Sequence, residues 1–347
     1  MISSRIITII QTKFILISTF LFFYLLFSPC FLVAQDSDPT VISLDHRKEQ
    51  NKSELQFESE DTGSTVGSLH SFVSTNVLGA ANRADTFFGD NRAIVDSNES
   101  RIRLRLDLDF EQDESVDLSP NVFANISLPG TKKKLRFFVN GDEGDDDAIE
   151  SDINNNEDNG SLFLRYLFLN SKYGSISGDT GLRFRSSGVE WFAGLRGRSY
   201  WTIGPWGFRL TDKFRWYTDR KFTNITRLDM ERVVVEGKSF FRSTTRGRWF
   251  QKRSGYYLEQ RFTYFHKINE KTGIAPEWRT LAETSLDDFI DETRIRLRIR
   301  RNVKWKWLFF EFAPGLVWKE KNDFETNYSV RFRVDAYFGN LSKIKLF

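Results

Sequence analysis

The sequence has few of the residues that cross-link a chain or drive catalysis. Its 347 residues include one cysteine, Cys30, and three histidines. A single cysteine excludes an intrachain disulfide, and a Ser–His or Asp–His site needs a histidine base. His46 and His70 precede the strand-rich region, whereas His266 falls near a strand end on the face expected to meet lipid. No GxSxG, HExxH or P-loop motif occurs. We therefore predict that the protein is not an enzyme and binds no cofactor or metal.

The sequence also lacks an excess of charge of either sign. The chain has 50 basic and 47 acidic residues, and removal of an N-terminal segment containing Arg5 and Lys13 would lower its net charge from +3 to +1. A chain this close to neutrality gives no basis for binding nucleic acid. After the N-terminal region no run of eighteen uncharged apolar residues occurs, so we expect no transmembrane helix there.

The one long apolar run lies at the N-terminus and predicts export. Basic residues precede the run at 14–28, and the sequence FLVAQ after it places Ala34 at a plausible cleavage point. This order is typical of a secretory signal peptide spanning 1–34. A membrane anchor is the alternative, because a membrane span needs only slightly more, about 20 residues. The sequence before Cys30 disfavours a lipoprotein box.

Two periplasmic segments are predicted after the signal peptide. Residues 35–67 are polar without a sustained period, which is typical of a flexible leader. From Leu69 to Phe88 apolar residues recur mostly at steps of three and four, with Ser68 able to cap the start and Gly89 the end. We predict a periplasmic amphipathic helix and linker over 68–98, with the helix packed under the main domain. A plug or a docking helix for a periplasmic protein is the alternative.

From Arg101 onward the apolar residues recur with a period of two. The segments RIRLRLDLDFE at 101–111 and TRIRLRIRRN at 293–302 alternate cationic or acidic residues with aliphatic ones. Successive side chains of a strand point to opposite faces, and about ten residues suffice for a tilted strand to cross a bilayer. This reading gives fourteen strands, near 101–111, 120–128, 133–140, 161–171, 178–186, 189–200, 206–218, 222–235, 238–251, 255–267, 272–284, 290–302, 306–318 and 327–338. Twelve strands remain the alternative, because Pro314 falls inside a strand and 223–236 mixes its two faces.

The connections and the tryptophans favour an outer-membrane barrel. Tight turn signals such as Gly204-Pro205 alternate with longer polar links such as 319–326, the pattern of short periplasmic turns and longer outer loops. Trp201 and Trp206 fall near one predicted interface and Trp216 near the other, as aromatic belts do. The predicted fold is therefore all-β, a transmembrane antiparallel β-barrel over 99–339 with a short N-terminal helix and a C-terminal tail at 340–347.

If the aliphatic faces meet lipid, the cations must point into the lumen. An arginine at the bilayer midplane costs about 2–4 kcal/mol on the lipid face, so four in one strand force the orientation. The predicted pore-lining residues are Arg101, Arg103, Arg105, Arg183, Arg185, Arg209, Lys213, Arg215, Arg294, Arg296, Arg298, Arg300, Arg331 and Arg333. Such residues would either form a pore that prefers anions or fill the lumen with paired charges.

Closure of the barrel predicts charge pairs along its seam. The first and last strands must meet antiparallel, which sets Arg101 near Phe338. Counting along the strands then brings the predicted seam acids opposite arginines. These acids are Asp107 and Asp109, near Arg331, and Asp335, near Arg103 and Arg105.

The segment 141–160 is strongly acidic and lies on the predicted outer surface. It lacks the ordered ligand spacing of an EF-hand. We interpret it as a solvated anionic loop, with loose divalent-ion binding near lipopolysaccharide as the alternative.

Two short stretches resemble a known group of proteins. The sequences DTFFGDNRAIVDSNESRIRLRLDL at 85–108 and NISLPGTKKKLR at 125–136 resemble uncharacterised exported proteobacterial proteins with an Asp-x-Phe-Phe segment before an alternating strand. The wider resemblance is to porin-like barrels. It implies an outer-membrane barrel and carries over no catalytic residue.

Together these patterns predict a Gram-negative outer-membrane barrel in contact with lipid and lipopolysaccharide. The first functional hypothesis is a channel or transporter for small anionic solutes. The alternative is a non-conducting structural or envelope-assembly barrel with a salt-bridged interior, which would bind a periplasmic protein through 68–89.

Overall fold

The computed structural model describes residues 65–90, 100–128, 130–131, 134–140, 158–171, 173–185, 188–285 and 289–339. The predicted signal peptide, the leader up to residue 64, most of the acidic segment 141–160 and the predicted tail lie outside the described residues.

Fourteen antiparallel strands close into one barrel, in which each strand pairs with its sequence neighbours and β1 pairs with β14. The strands are β1 (Arg101–Glu111), β2 (Asp117–Ser127), β3 (Leu135–Val139), β4 (Asp158–Ser171), β5 (Gly174–Arg185), β6 (Gly188–Ile203), β7 (Trp206–Tyr217), β8 (Lys221–Val235), β9 (Ser239–Phe250), β10 (Tyr256–Asn269), β11 (Thr272–Glu283), β12 (Ile290–Asn302), β13 (Leu308–Lys319) and β14 (Asn327–Gly339). The predicted fold class and the count of fourteen strands are confirmed.

The two faces of the wall have opposite chemistry. On β1, Arg103 and Arg105 are buried inside the barrel, whereas 42% of Leu104 and 43% of Leu106 are exposed outside. An outer face of exposed aliphatic and aromatic side chains suits hydrocarbon on this sheet, because closure gives each strand a partner on both sides and leaves no free edge. The protein is a transmembrane β-barrel of the outer membrane. Among the described residues, no helix is both long and apolar enough to span a bilayer.

The seam closes one residue away from the predicted register. Arg101 lies opposite Gly339, and Ile102 lies opposite Phe338. The same register sets Asp107 opposite Arg333 and Asp109 opposite Arg331.

The two irregular strands have separate explanations. The β12–β13 register is the same on either side of Pro314, from Arg296 opposite Gly315 to Ile299 opposite Phe312. The β12–β13 ladder thus accommodates the proline without a shift. In β8 the register with β9 shifts between Val233 and Val235. The inward face of β8 carries both charged and apolar residues, because Val233 points inward and packs against the apolar cluster around a helix.

That helix, α1 (Thr65–Phe88), begins three residues before the predicted start and stops one residue before Gly89. We predicted that it lies in the periplasm under the main domain, with a plug or a docking helix as the alternative. The structure places its C-terminal part inside the barrel, where Val77, Phe87 and Phe88 are buried with Phe240 and Phe309 of the wall. The physical reason is that the lumen offers this face an apolar wall patch. The sequence period shows that a face is apolar and does not say what covers it.

Candidate functional site: the barrel lumen

Aromatic and small side chains hold α1 in the lumen. The Phe87 ring lies 5.5 Å from that of Phe309, and the Phe88 ring lies 5.0 Å from that of Phe265. A methyl group added at Gly207 would come within 2.7 Å of Val77, so the missing side chain makes room for the helix. These contacts lie toward the end of the barrel where β1 begins and β14 ends, called here the terminal end.

Arginines of the wall bind the C-terminal end of α1. Arg298 donates to the Phe88 carbonyl at 2.7 Å, and Arg105 donates to the Gly89 carbonyl at 2.6 Å. Arg103 also donates to the Gly89 carbonyl. The last carbonyls of a helix have no partner within it and carry a partial negative charge, so guanidinium groups satisfy and stabilise them.

The acidic residues beside the helix end add ion pairs. Asp85 lies 2.5 Å from the Arg242 guanidinium, which also reaches Asp90 at 3.3 Å and Glu231 at 2.8 Å. The segment Asp85–Asp90, which contains the Asp-x-Phe-Phe sequence, thus carries both the apolar and the ionic contacts of the seated helix.

Gly89 is required where the chain leaves the helix. Its φ of +71° lies in the left-handed region that favours glycine. A Cβ there would come within 2.7 Å of the Asp335 carboxylate and 2.8 Å of the Arg105 guanidinium. Together these two effects disfavour a larger residue at 89 while the helix is seated.

Carboxylates bridge many of the lumen arginines. Asp335 accepts from Arg105 at 2.8 Å and from Arg300 at 2.6 Å, and Glu311 accepts from Arg298 at 2.9 Å. Among the described residues, thirteen arginines are buried against ten carboxylates. The interior is therefore extensively paired and retains a positive excess.

The structure places all fourteen predicted pore-lining residues on the inward face. Arg103, Arg105, Arg183, Arg209, Arg215, Arg296 and Arg300 are buried, and Arg101, Arg185, Lys213, Arg294, Arg298, Arg331 and Arg333 are partly exposed. Of the predicted seam acids, Asp107 lies 2.6 Å from Arg333, Asp109 lies 2.6 Å from Arg331 and Asp335 lies 2.8 Å from Arg105. Whether these side chains line a conducting path stays a prediction.

Sequence reasoning missed other inward arginines. The buried ones are Arg136, Arg165, Arg196, Arg242, Arg246 and Arg248, and the partly exposed Arg261 and Arg279 also face the lumen. The signal was present on β9, where three arginines alternate with outward residues, and the outward Phe241 and Trp249 set the orientation of that strand.

A small cavity of about 90 Å³ lies beyond the helix end, and Phe88, Gly89 and Asp90 form one side of it. The other lining residues are Arg261, Glu277, Arg279, Arg296, Arg298, Glu311, Arg331 and Arg333. Five of these arginines are bound in ion pairs with carboxylates. Arg296 forms no ion pair with the described residues, and its Nε is buried without a hydrogen-bond partner among them.

A wider cavity of about 540 Å³ opens at the end opposite the terminal end. Basic and acidic side chains line it in mixture, including Glu111, Arg294 and Lys319. Partial burial acts to raise the pKa of Glu114 at its rim, but hydrogen bonds from Lys321 and Lys319 outweigh it and leave that pKa below its usual value. No group of metal-ligating side chains is found in the part of the chain that the structure describes.

Comparison with known proteins finds weak similarity to outer-membrane barrels. No family model and no curated protein match the sequence. OmpT, an outer-membrane protein of Vibrio cholerae, is 11% identical with a TM-score of 0.42, over 69% of this chain and 97% of that one. An anion-selective porin from Comamonas acidovorans is 8% identical with a TM-score of 0.42, over 69% and 98%. The KdgM porin in complex with disordered oligogalacturonate is 9% identical with a TM-score of 0.34, over 68% and 99%. These similarities carry no argument about function, and the fold rests on the strand pairing itself.

Proposed function

We propose that the protein is an outer-membrane channel for small anionic solutes and that α1 closes it in the conformation described here. The observation that carries the anion preference is Arg296, a buried guanidinium at the cavity beyond the helix end without an ion-pair partner among the described residues. Glu277 lies opposite Arg296 on β11, but the ion pair that it forms is with Arg298, at 3.9 Å. A buried charge without an ion pair of its own is costly, and a carboxylate, sulfate or phosphate group entering the cavity would supply one.

The surrounding charges support the same preference. Arg298 and Arg333 flank Arg296 at the cavity, and each is bound to a carboxylate of the wall, which fixes its position. A fixed excess of positive charge in a narrow lumen attracts anions and repels cations.

The position of α1 supports a closed state. Its end occupies the lumen between the terminal end and the cavity, and wall arginines bind its last carbonyls. A solute crossing the barrel would have to pass this segment, so conduction requires that Val77–Asp90 moves.

Charge reversal tests the proposal. In a chain lacking 65–90, Arg296→Glu combined with Arg298→Glu should reverse or abolish anion preference in planar-bilayer recordings. Arg301→Glu is the matched control, because Arg301 lies on the same strand with its side chain exposed on the outward face. Unchanged selectivity in the double variant would remove the proposal.

A second candidate is the non-conducting barrel with a salt-bridged interior. The observation that favours it is the pair Arg300 and Asp335, in which both side chains are fully buried at a distance of 2.6 Å. A periplasmic partner would then bind the part of α1 before Val77, because the apolar face of the later turns packs on the wall. This candidate predicts no conductance after removal of α1 and impaired envelope integrity instead. We also propose that the protein belongs to the group of uncharacterised exported proteobacterial proteins that 85–108 resembles.

A further inference from the structure

The outer face of the barrel has one polar sector within its apolar surface. On β7 to β10 the outward side chains Asp212, Asn224, Thr226, Ser243, Thr245 and Gln260 form what we call the outward polar patch. Their strand neighbours Arg209, Arg215 and Arg246 are buried in the lumen, so the alternation of the strands turns the patch toward the membrane.

Hydrogen bonds connect the patch into two groups. Asp212 accepts from the Asn224 amide at 3.1 Å and from the Thr226 hydroxyl at 2.6 Å. The Gln260 amide accepts from the Thr245 hydroxyl at 2.7 Å and donates to the Ser243 hydroxyl at 2.9 Å. The Asn224 amide also donates to the Lys213 carbonyl at 3.4 Å, so both of its protons are used. Lone pairs of the Asp212 carboxylate and one proton of the Gln260 amide are left for further partners.

The patch lies at the depth of the hydrocarbon. Asp212 sits midway along β7, between the outward Trp206 and Trp216 near the two ends of that strand. Asp212 is exposed and pairs with no basic side chain of the described residues. A carboxylate facing acyl chains is unfavourable, and polar groups at this depth generally face protein or water.

The shape of this sector suits a protein surface. Outward glycines flank the Asp212–Thr226 pair, with Gly197 opposite Asp212 and Gly247 opposite Thr226. A Cβ at Gly197 would meet nothing within 4 Å, so the surface is open there. Next to the patch lies an apolar groove of about 580 Å³ whose lining includes Phe168, Leu195 and Phe214. Small residues and hydrogen-bonding side chains are what membrane-embedded proteins use to associate.

We propose that the outward polar patch is an interface between copies of this chain. The argument for a second copy is self-complementarity: the patch combines an anionic acceptor, Asp212, with a free amide donor on Gln260. Two copies related by a two-fold axis can therefore satisfy each other's groups with one set of residues. The contact lies on the outside of the wall and does not depend on conduction.

Cross-linking of the full chain, with Cys30 replaced by Ser, tests the interface. Thr226→Cys should cross-link to a second copy in purified, reconstituted protein. Leu106→Cys is the matched control, because Leu106 is outward on β1, seven strands away around the fourteen-strand ring. Equal cross-linking of both variants, or cross-linking of Thr226→Cys only to a different protein in native membranes, would overturn the proposal.

Sedimentation in density-matched detergent provides the second readout. The wild type should contain at least two copies, and Asp212→Leu with Gln260→Leu should raise the dissociation constant about tenfold, since membrane-buried hydrogen bonds are individually modest. Heat-modifiable gel mobility reports whether the variant barrel is intact. A monomeric wild type, or an intact double variant that associates as tightly as the wild type, would contradict the inference.

Discussion

Loss of the Asp335 carboxylate should destabilise the barrel far more than loss of a similar carboxylate on the same seam. Asp335 is fully buried and accepts hydrogen bonds from Arg105 at 2.8 Å and from Arg300 at 2.6 Å. Asp335→Asn would leave the buried Arg105 without its ion pair and Arg300 with Glu311 alone, at 3.3 Å. Breaking a buried pair in this way costs about 3–5 kcal/mol of unfolding free energy.

Asp109→Asn is the matched control. Asp109 pairs with Arg331 at 2.6 Å, but the two side chains are 27% and 24% exposed, so water screens the pair. Removal of a partly solvated pair costs about 0–1 kcal/mol. Urea unfolding of the barrel in lipid vesicles gives both free energies from the linear dependence on denaturant. Equal losses for the two variants, or a loss of under about 1 kcal/mol for Asp335→Asn, would refute the assignment of a buried counter-ion.

Three further predictions concern the lumen helix, the lipid face and the rim. Phe88→Ala removes a buried ring that holds α1, and loss of such a ring from a packed core costs about 3–5 kcal/mol. The variant should therefore open more often in planar bilayers. Unchanged opening would argue against closure by α1. Leu297→Arg on the lipid face should cost about 2–4 kcal/mol of unfolding free energy, whereas Leu118→Arg near a strand end should cost about 0–1 kcal/mol, and similar costs would contradict the membrane position. The pKa of Glu114 in the folded protein lies below the usual 4.5, so its contact with Lys321 should persist at pH 4.5 and be lost only as the pH falls below that value. An NMR titration of Glu114 with a midpoint at or above 4.5 would contradict this.

The strands were predictable because the two faces of each strand meet different surroundings, lipid on the outside and a charged lumen on the inside. In β1 and β12 every second residue is charged, and no helix could sort the two sets onto separate faces. The predicted seam register was one residue off, because it set the inward Arg101 opposite the outward Phe338; directly paired residues share a face, which requires Gly339 there.

The placement of α1 was not predictable from its own sequence. An apolar face on a helix suits the inside of a barrel as well as the outside of another protein. The evidence lay elsewhere, in the inward Val233 of β8 and in Gly207 of β7, which departs from a lumen of long charged side chains. These residues indicate a helix in the lumen only once it is known which face of each strand points inward. That Arg296 forms no ion pair with the residues the structure describes likewise depends on side-chain packing between strands, which periodicity does not contain.

The most direct measurement is the reversal potential across a planar bilayer under a salt gradient, for the full chain and for a chain lacking 65–90. We predict that the full chain stays largely closed and that the shortened chain conducts with a reversal potential near the equilibrium potential of the anion. Equal conductance of the two chains, or a reversal potential near that of the cation in the shortened chain, would contradict the account.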